Sequence, residues 1–204
     1  MVGVRTLVDT RDPDDVAAVA AIQDGIGLAA GSARAYGAPA VDATSLDATR
    51  AALLQLAAGM TGFARAFGRG DAVDPIVHLI GTAAGWGGLP DAEATYQGVS
   101  PGLPPGTYEL TVGDVPVDAF WSLSVYDAEG YFVPNDRDAY SVNSVTGVRD
   151  DDGSITIRFG DHPEGAHNVI PTPEGWNYLV RLYRPRPEIL DGSWTFPALP
   201  PQLV

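Results

Sequence analysis

Carboxylates recur at the predicted strand ends and turns in the second half of the sequence. Asp118, Asp127 and Asp136 occupy such positions, where the loops of a β-sandwich gather. Two acids about 5 to 9.5 Å apart across a cleft can supply acid and base, or acid and nucleophile, for glycoside hydrolysis. These three residues are therefore candidate catalytic groups of a hydrolase acting on a sugar or another hydroxylated small molecule. The alternative is that they are solvated acids that form turns, which the abundance of aspartate favours.

A second set of residues combines aromatic rings with amide and guanidinium groups near the same strand ends. Rings with polar tips suit apolar ligands and the faces of sugars. The alternation of side chains along strands assigns most of the aromatic residues to the core between the sheets, and a smaller set remains to line a site. The predicted ligand-binding residues are Tyr131, Asn135, Arg137, Tyr140 and Asn143.

The segment DHPEGAH places His162 and His167 beside Asp161 and Glu164. Histidine and carboxylate side chains are common ligands of divalent metals, so the two histidines are candidate metal ligands. A proline and a glycine between them indicate a turn, which lacks the fixed helical spacing of a typical histidine pair. A solvated loop is the favoured interpretation, and neither a metal nor another cofactor is predicted.

Arginine is the only strongly basic residue type in the chain. The net charge is -14, with 12 basic and 26 acidic residues and no cysteine. Such a surface repels nucleic acid, and the absence of lysine and cysteine excludes Schiff-base and thiolate chemistry. Arg181, Arg184 and Arg186 could clamp a carboxylate ligand, but a network of ion pairs with nearby aspartates is the favoured interpretation.

The first 80 residues are predicted to hold one strand and three helices. Val2 to Val8 is an apolar run that suits a strand, and Asp12 before a proline starts a helix that reaches about Gly25. A capping-box spacing at Thr44 starts a second amphipathic helix, and Asp74 before another proline starts a third. The apolar strand would invite association, so we expect a homo-oligomer or pairing with a partner β-domain.

After Trp86 the apolar period changes from that of helices to that of strands. Turn signals separate many short alternating runs, which predicts an antiparallel, jelly-roll-like β-sandwich at residues 81–204, preceded by the helical segment at residues 1–80. The predicted strands are Tyr108 to Val112, Phe120 to Tyr126, Tyr131 to Val133, Tyr140 to Val142, Ile155 to Phe159 and Trp176 to Tyr183.

The region from about Gly81 to Pro200 resembles the family catalogued as domain of unknown function 1214. The resemblance rests on GTAAGWGGLP, PVDAFWSLSVYDAEGYFVPN, YSVNS, DGSITIRFG and GWNYLVRLYRPRPEILDGSW. It implies a jelly-roll-like sandwich and no established activity. In addition, VGVRTLVDTRDPDDVAAVAAIQDGI resembles the closing strand and following helix of the companion domain of unknown function 1254, and the rest of that domain is not recognisable in the chain.

No targeting segment or membrane-spanning stretch is recognisable in the sequence. The expected protein is therefore soluble and cytoplasmic, without a nucleic-acid or membrane partner. The leading hypothesis is a non-catalytic or partner-dependent β-sandwich that binds a small molecule or assembles with itself. The hydrolase is the alternative, and the sequence does not decide between the two because sandwiches host both roles.

Overall fold

The computed structural model describes residues 3–32, 34, 37–60 and 62–199, which belong to two units, Met1–Val41 and Asp42–Val204. The first unit contains helix α1 (Pro13–Asp24). As predicted, Asp12 caps it, and its side chain accepts hydrogen bonds from the amides of Asp14 and Asp15. The predicted strand is wrong for Gly3 to Val8, which forms no strand, while Val2 lies outside the described residues. An extended run becomes a strand only when a neighbour binds its amides and carbonyls.

The second unit begins with two helices, α2 (Ala43–Ala58) and α3 (Pro75–Ala84). Asp74 caps α3 as predicted. The capping box predicted at Thr44 is wrong, because the Asp42 side chain accepts from the amides of Thr44 and Ser45 and caps α2 two residues earlier. Among the described residues, no helix combines the length and the apolar character that crossing a membrane requires.

Within the described residues, seven strands and a short helix follow, and their bounds agree with most of the predicted strands. In chain order they are β1 (Ala94–Val99), β2 (Tyr108–Val112), β3 (Trp121–Tyr126), β4 (Ser141–Asn143), β5 (Ile155–Phe159), β6 (Val169–Ile170), β7 (Asn177–Tyr183) and α4 (Pro187–Leu190). The strand predicted at Tyr131 to Val133 is wrong. That segment is an exposed loop whose first residue bonds back to Asp127 instead of to a neighbouring strand.

The strands form two sheets. The first has the order β1-β7-β3-β4 with antiparallel pairs throughout, and the second has the order β2-β5-β6. β2 and β5 are antiparallel, whereas β5 and β6 run parallel, which departs from the purely antiparallel prediction. The fold is therefore a mixture of helices and largely antiparallel sheets.

One hydrophobic core joins the inward side chains of both sheets. Trp121, Leu123 and Val125 of β3 are at most 4% exposed, and Tyr178 and Val180 of β7 are fully buried. On β3 they alternate with Ser122 and Ser124, as predicted from the period of two, and on β7 they alternate with Asn177, Leu179 and Arg181. The second sheet contributes Leu110, Val112, Ile155, Ile157, Phe159 and Ile170 to the same cluster.

Candidate functional site

A cleft of about 580 Å³ brings together three of the predicted site residues, Asn135, Asp136 and Arg137. We call it the Asp136 cleft. The loop between β3 and β4 forms one side of it, and the turns that precede β2 and follow β5 and β6 form the rest. Its remaining lining residues are Pro105, Gly106, Pro134, Gly160, Asp161, Pro171 and Thr172.

Asn135 shapes the loop that carries the other two predicted residues. Its side-chain oxygen accepts from the amides of Arg137 and Ala139, both at 3.2 Å. Its nitrogen donates to the carbonyls of Val133 at 3.3 Å and Ala139 at 3.1 Å. Because these four bonds use both donors and two acceptor positions, the Asn135 side chain holds the loop in shape.

Arg137 connects this loop to the turn after β5, and Thr107 connects the segment before β2 to the same turn. The Arg137 guanidinium donates to the carbonyl oxygen of His162, and the Thr107 hydroxyl donates to the carbonyl of Asp161 at 2.9 Å. Two carboxylates, Asp136 and Asp161, and one guanidinium therefore line the same opening. Such a set could hydrogen-bond the hydroxyls of a sugar or bind a charged small molecule.

The wall of the cleft depends on a close approach of two glycines. A Cβ atom at Gly160 would lie 1.9 Å from the carbonyl oxygen of Gly106, so only glycine fits there. Gly160 also has a φ of 86°, a conformation that glycine adopts without steric cost. This contact presses the segment before β2 against the end of β5.

The other two candidate acids lie at opposite ends of β3 and bind protein groups. Asp118 forms an ion pair with Arg186 at 2.8 Å, and the hydrogen bond to its carboxylate, together with the carboxylate's charge, raises the pKa of that guanidinium. Asp127 accepts from the amides of Glu129 at 3.1 Å and Tyr131 at 2.8 Å, and thus closes the turn after the strand. β3 alone spans about 17 Å, so Asp118 and Asp127 are too far apart to act as one catalytic pair.

The predicted aromatic and amide residues are divided among different surroundings. Tyr131 is 71% exposed, whereas Tyr140 packs with its ring 5.2 Å from that of Phe132. Phe132 in turn stacks on Tyr126 at 4.8 Å with nearly parallel planes. The Asn143 side chain accepts from the amides of the two residues that follow Ser144, at 2.9 Å each, and caps that turn.

The two histidines have separate environments. His162 Nε2 is buried and has no hydrogen-bond partner among the described residues. His167 lines a different hollow, beside Asp150 and Ser154, and its carbonyl accepts from Arg158 at 3.3 Å. Within the part of the chain that the structure describes, no three His, Asp or Glu residues form a group able to hold a metal ion.

Arg181 is a further candidate ligand-binding residue, which the sequence pattern did not distinguish from Arg184 and Arg186. It lies on the outer face of the first sheet and donates to the hydroxyls of Ser124 at 3.1 Å and Tyr126 at 2.7 Å. Strand alternation already places Ser124 and Tyr126 on one face. The register between β3 and β7, which brings Arg181 to that face, is a long-range property that the sequence pattern does not reveal.

Comparison with known proteins finds a similar structure and a matching family, and neither has a named activity. No curated protein matches the chain. Among solved structures, the chain is similar to the VPA0106 protein from Vibrio parahaemolyticus, with 22% sequence identity and a TM-score of 0.56 over 78% of this chain and 45% of that one. The chain thus spans less than half of VPA0106, and the likeness shows the fold alone. Residues 102–187, which include β2 to β7, match the family described as Protein of unknown function (DUF1214).

Proposed function

We propose that the protein is a non-catalytic β-sandwich that assembles with a second copy of itself. The apolar surface of the residues before Asp42 carries this proposal. Leu7 is 95% exposed and Leu28 is 79% exposed. Among the residues that the structure describes in this unit, only Val19 is buried. Proteins that stay monomeric in water rarely leave so much aliphatic surface uncovered. The exposed set also includes Val4, Val16, Ile22, Ile26 and Val41.

The stretch from Gly3 to Val8 is the segment we expect to pair in the assembly. It is exposed or half-buried and is free of regular structure, and its sequence resembles the closing strand of the companion domain of unknown function 1254. An apolar segment of this kind can add to the edge of another sheet through main-chain hydrogen bonds. A partner β-domain is the alternative occupant.

A finer proposal concerns the path of the chain through the sheets. We infer a jelly-roll-like sandwich, in which a late strand returns to lie beside the first. The pairing of β1 with β7 supports this connectivity.

Light scattering at micromolar concentration tests the assembly. We expect a dimer or larger species for the natural sequence. Replacing Leu7 and Leu28 together by aspartate should produce the monomer, because the charges oppose burial of that surface. The matched control is Val145→Asp, since Val145 is 73% exposed in the turn after β4. A monodisperse monomer for the natural sequence would contradict self-assembly.

The second candidate function is a hydrolase that acts on a hydroxylated small molecule in the Asp136 cleft. Asp136 and Asp161 line this cleft together, and that observation favours it. A panel of chromogenic glycosides and esters should reveal turnover that Asp136→Asn abolishes, while Asp118→Asn, in an ion pair outside the cleft, leaves the turnover unchanged. Turnover that survives Asp136→Asn and Asp161→Asn would exclude this mechanism.

A further inference from the structure

A half-buried arginine lies at the centre of the outer face of the first sheet. Arg181 of β7 stands between Tyr96 of β1 and Ser122 of β3 in the strand register. Its side chain runs along the face toward the end of β3, where the guanidinium bonds the hydroxyls of Ser124 and Tyr126. The guanidinium carbon also lies 5.9 Å from the centre of the Tyr126 ring.

The charge of Arg181 has no carboxylate partner among the described residues. Arg158 pairs with Glu109 at 3.0 Å and Arg186 pairs with Asp118 at 2.8 Å, but no acid of the described chain comes within 4.0 Å of Arg181. This is notable in a chain with 26 acidic residues. A partly desolvated charge is stabilised mainly by an opposite charge, and the two hydroxyls supply only dipoles.

The groups around Arg181 are rich in free donors. A guanidinium has five N–H groups, and two of them bond Ser124 and Tyr126, which leaves three without a partner in the described residues. The Tyr126 hydroxyl accepts from Arg181 and so keeps its own O–H to donate, whereas Ser124 is only 5% exposed and supports the guanidinium from the sheet. One positive charge and several convergent donors are the complement of an oxyanion.

An aromatic surface adjoins these donors. The Tyr126 ring stacks on Phe132, and Phe132, which is 48% exposed, also contacts Tyr140. The exposed part of Phe132 offers an apolar contact to a ring or hydrocarbon body. The site has a single positive charge, and the net charge of the chain is -14, which repels anions. A singly charged carboxylate therefore suits the site better than a doubly charged phosphate.

We propose that Arg181 and Tyr126 bind the carboxylate of a small organic acid whose ring or apolar body lies against Phe132, while Ser124 positions the guanidinium. This site is on the outer face of the first sheet, and it depends neither on self-assembly nor on the Asp136 cleft. The ligand's carboxylate supplies the negative charge that the described residues do not provide.

An NMR titration with benzoate tests the site through the Nε–H resonance of Arg181. Benzoate should shift this resonance in the natural sequence. The affinity of every variant is measured from the backbone amide shifts of β3 and β7, and Arg181→Gln should weaken binding by about tenfold or more, because a charge-assisted hydrogen-bonding partner is lost. Tyr126→Phe, which removes one hydroxyl and keeps the ring, should weaken it several-fold. The matched control is Arg158→Gln on the outer face of the other sheet, for which we expect unchanged affinity.

Titrations with acetate and with inorganic phosphate test the contact with Phe132 and the choice of a carboxylate separately. Tighter binding of benzoate than of acetate supports the contact with Phe132, and equal affinity overturns that contact. Tighter binding of phosphate than of benzoate overturns the carboxylate assignment. The site itself is overturned if benzoate leaves the Arg181 resonance in place, or if Arg181→Gln and Arg158→Gln bind benzoate equally while both retain the amide spectrum of the folded protein.

Discussion

The side chain of Asn168 binds both backbone groups of Val148: its oxygen accepts from the Val148 amide at 2.9 Å, and its nitrogen donates to the Val148 carbonyl at 2.8 Å. The same nitrogen donates to the carbonyl of Thr156 at 3.1 Å. Asn168 has a φ of 56°, a left-handed conformation that asparagine tolerates better than most residues. One side chain thus connects the segment before β5, β5 itself and the start of β6.

Replacing Asn168 by alanine should lower the free energy of unfolding by about 1 to 3 kcal/mol, because three hydrogen bonds are lost and alanine is disfavoured at this φ. Urea denaturation measures the loss. Asn168→Asp keeps the accepting oxygen but turns its second oxygen toward the carbonyls of Val148 and Thr156, which repel it, so this variant should be no more stable than the alanine variant. An alanine variant as stable as the natural sequence would show that the bonds make no net contribution.

Gly160 and Gly153 form a matched pair of substitution sites, because both have a φ of 86°. Alanine at Gly153 meets no atom within 4 Å, so we expect only the conformational cost of about 1 kcal/mol. Alanine at Gly160 would collide with the Gly106 carbonyl and should cost more than about 3 kcal/mol or prevent folding. Thermal or urea unfolding measures the loss of stability in both variants. Equal losses would show that the close approach of Gly160 to Gly106 does not add to the cost of alanine.

The Tyr178 hydroxyl accepts from the amide of Leu199 at 3.2 Å in the core. Tyr178→Phe leaves that amide without its partner and should cost about 1 to 3 kcal/mol. Burial raises the pKa of Tyr178 above its ordinary value of 10.0, although the bond from Leu199 opposes the shift. The stabilisation from the neutral hydroxyl is therefore complete below the ordinary pKa and is lost as the pH rises through the raised value.

Unfolding measured near neutral pH and again above about pH 10 tests this pH dependence. The natural sequence should lose more stability than Tyr178→Phe between the two conditions. The remaining tyrosines are common to both proteins, so the difference reports on Tyr178 alone. Identical pH dependence in the two proteins would contradict the assignment.

Asp74 should contribute to unfolding in acid. Hydrogen bonds from the amides of Val77 and Ile76 at the start of α3 hold the pKa of its carboxyl below the ordinary value of 3.8. This stabilisation is present above the unfolded-state pKa and is lost as the pH falls through the lowered value. Asp74→Asn keeps a capping side chain without the titration, so its urea midpoint should fall less than that of the natural sequence between about pH 5 and pH 3.

Local chemistry explains which elements could be predicted from the sequence. The caps at Asp12 and Asp74 depend on residues one to three positions away, and both are confirmed. β2 and β5 have the predicted bounds because their apolar residues alternate strictly and face one core. β1 was missed because the stretch ATYQGV has a weak apolar pattern and forms a strand through its pairing with β7, more than 80 residues later.

The candidate site was predictable only where its residues are contiguous. Asn135, Asp136 and Arg137 share one loop, so their common location followed from their spacing. Asp161 joins them through the packing of the turn after β5, and Arg181 meets Ser124 through strand register. Both relationships depend on tertiary structure, which a pattern of neighbouring residues does not encode.

The central place of β7 in its sheet has a consequence for protein synthesis. β7 lies between β1 and β3, although it is the last strand among the described residues. While a ribosome is still translating the segments before Asn177, β1 and β3 have no neighbour on the sides that β7 will occupy. The first sheet therefore has two open edges until β7 emerges, and during that interval the nascent chain is most dependent on chaperones and most exposed to mispairing.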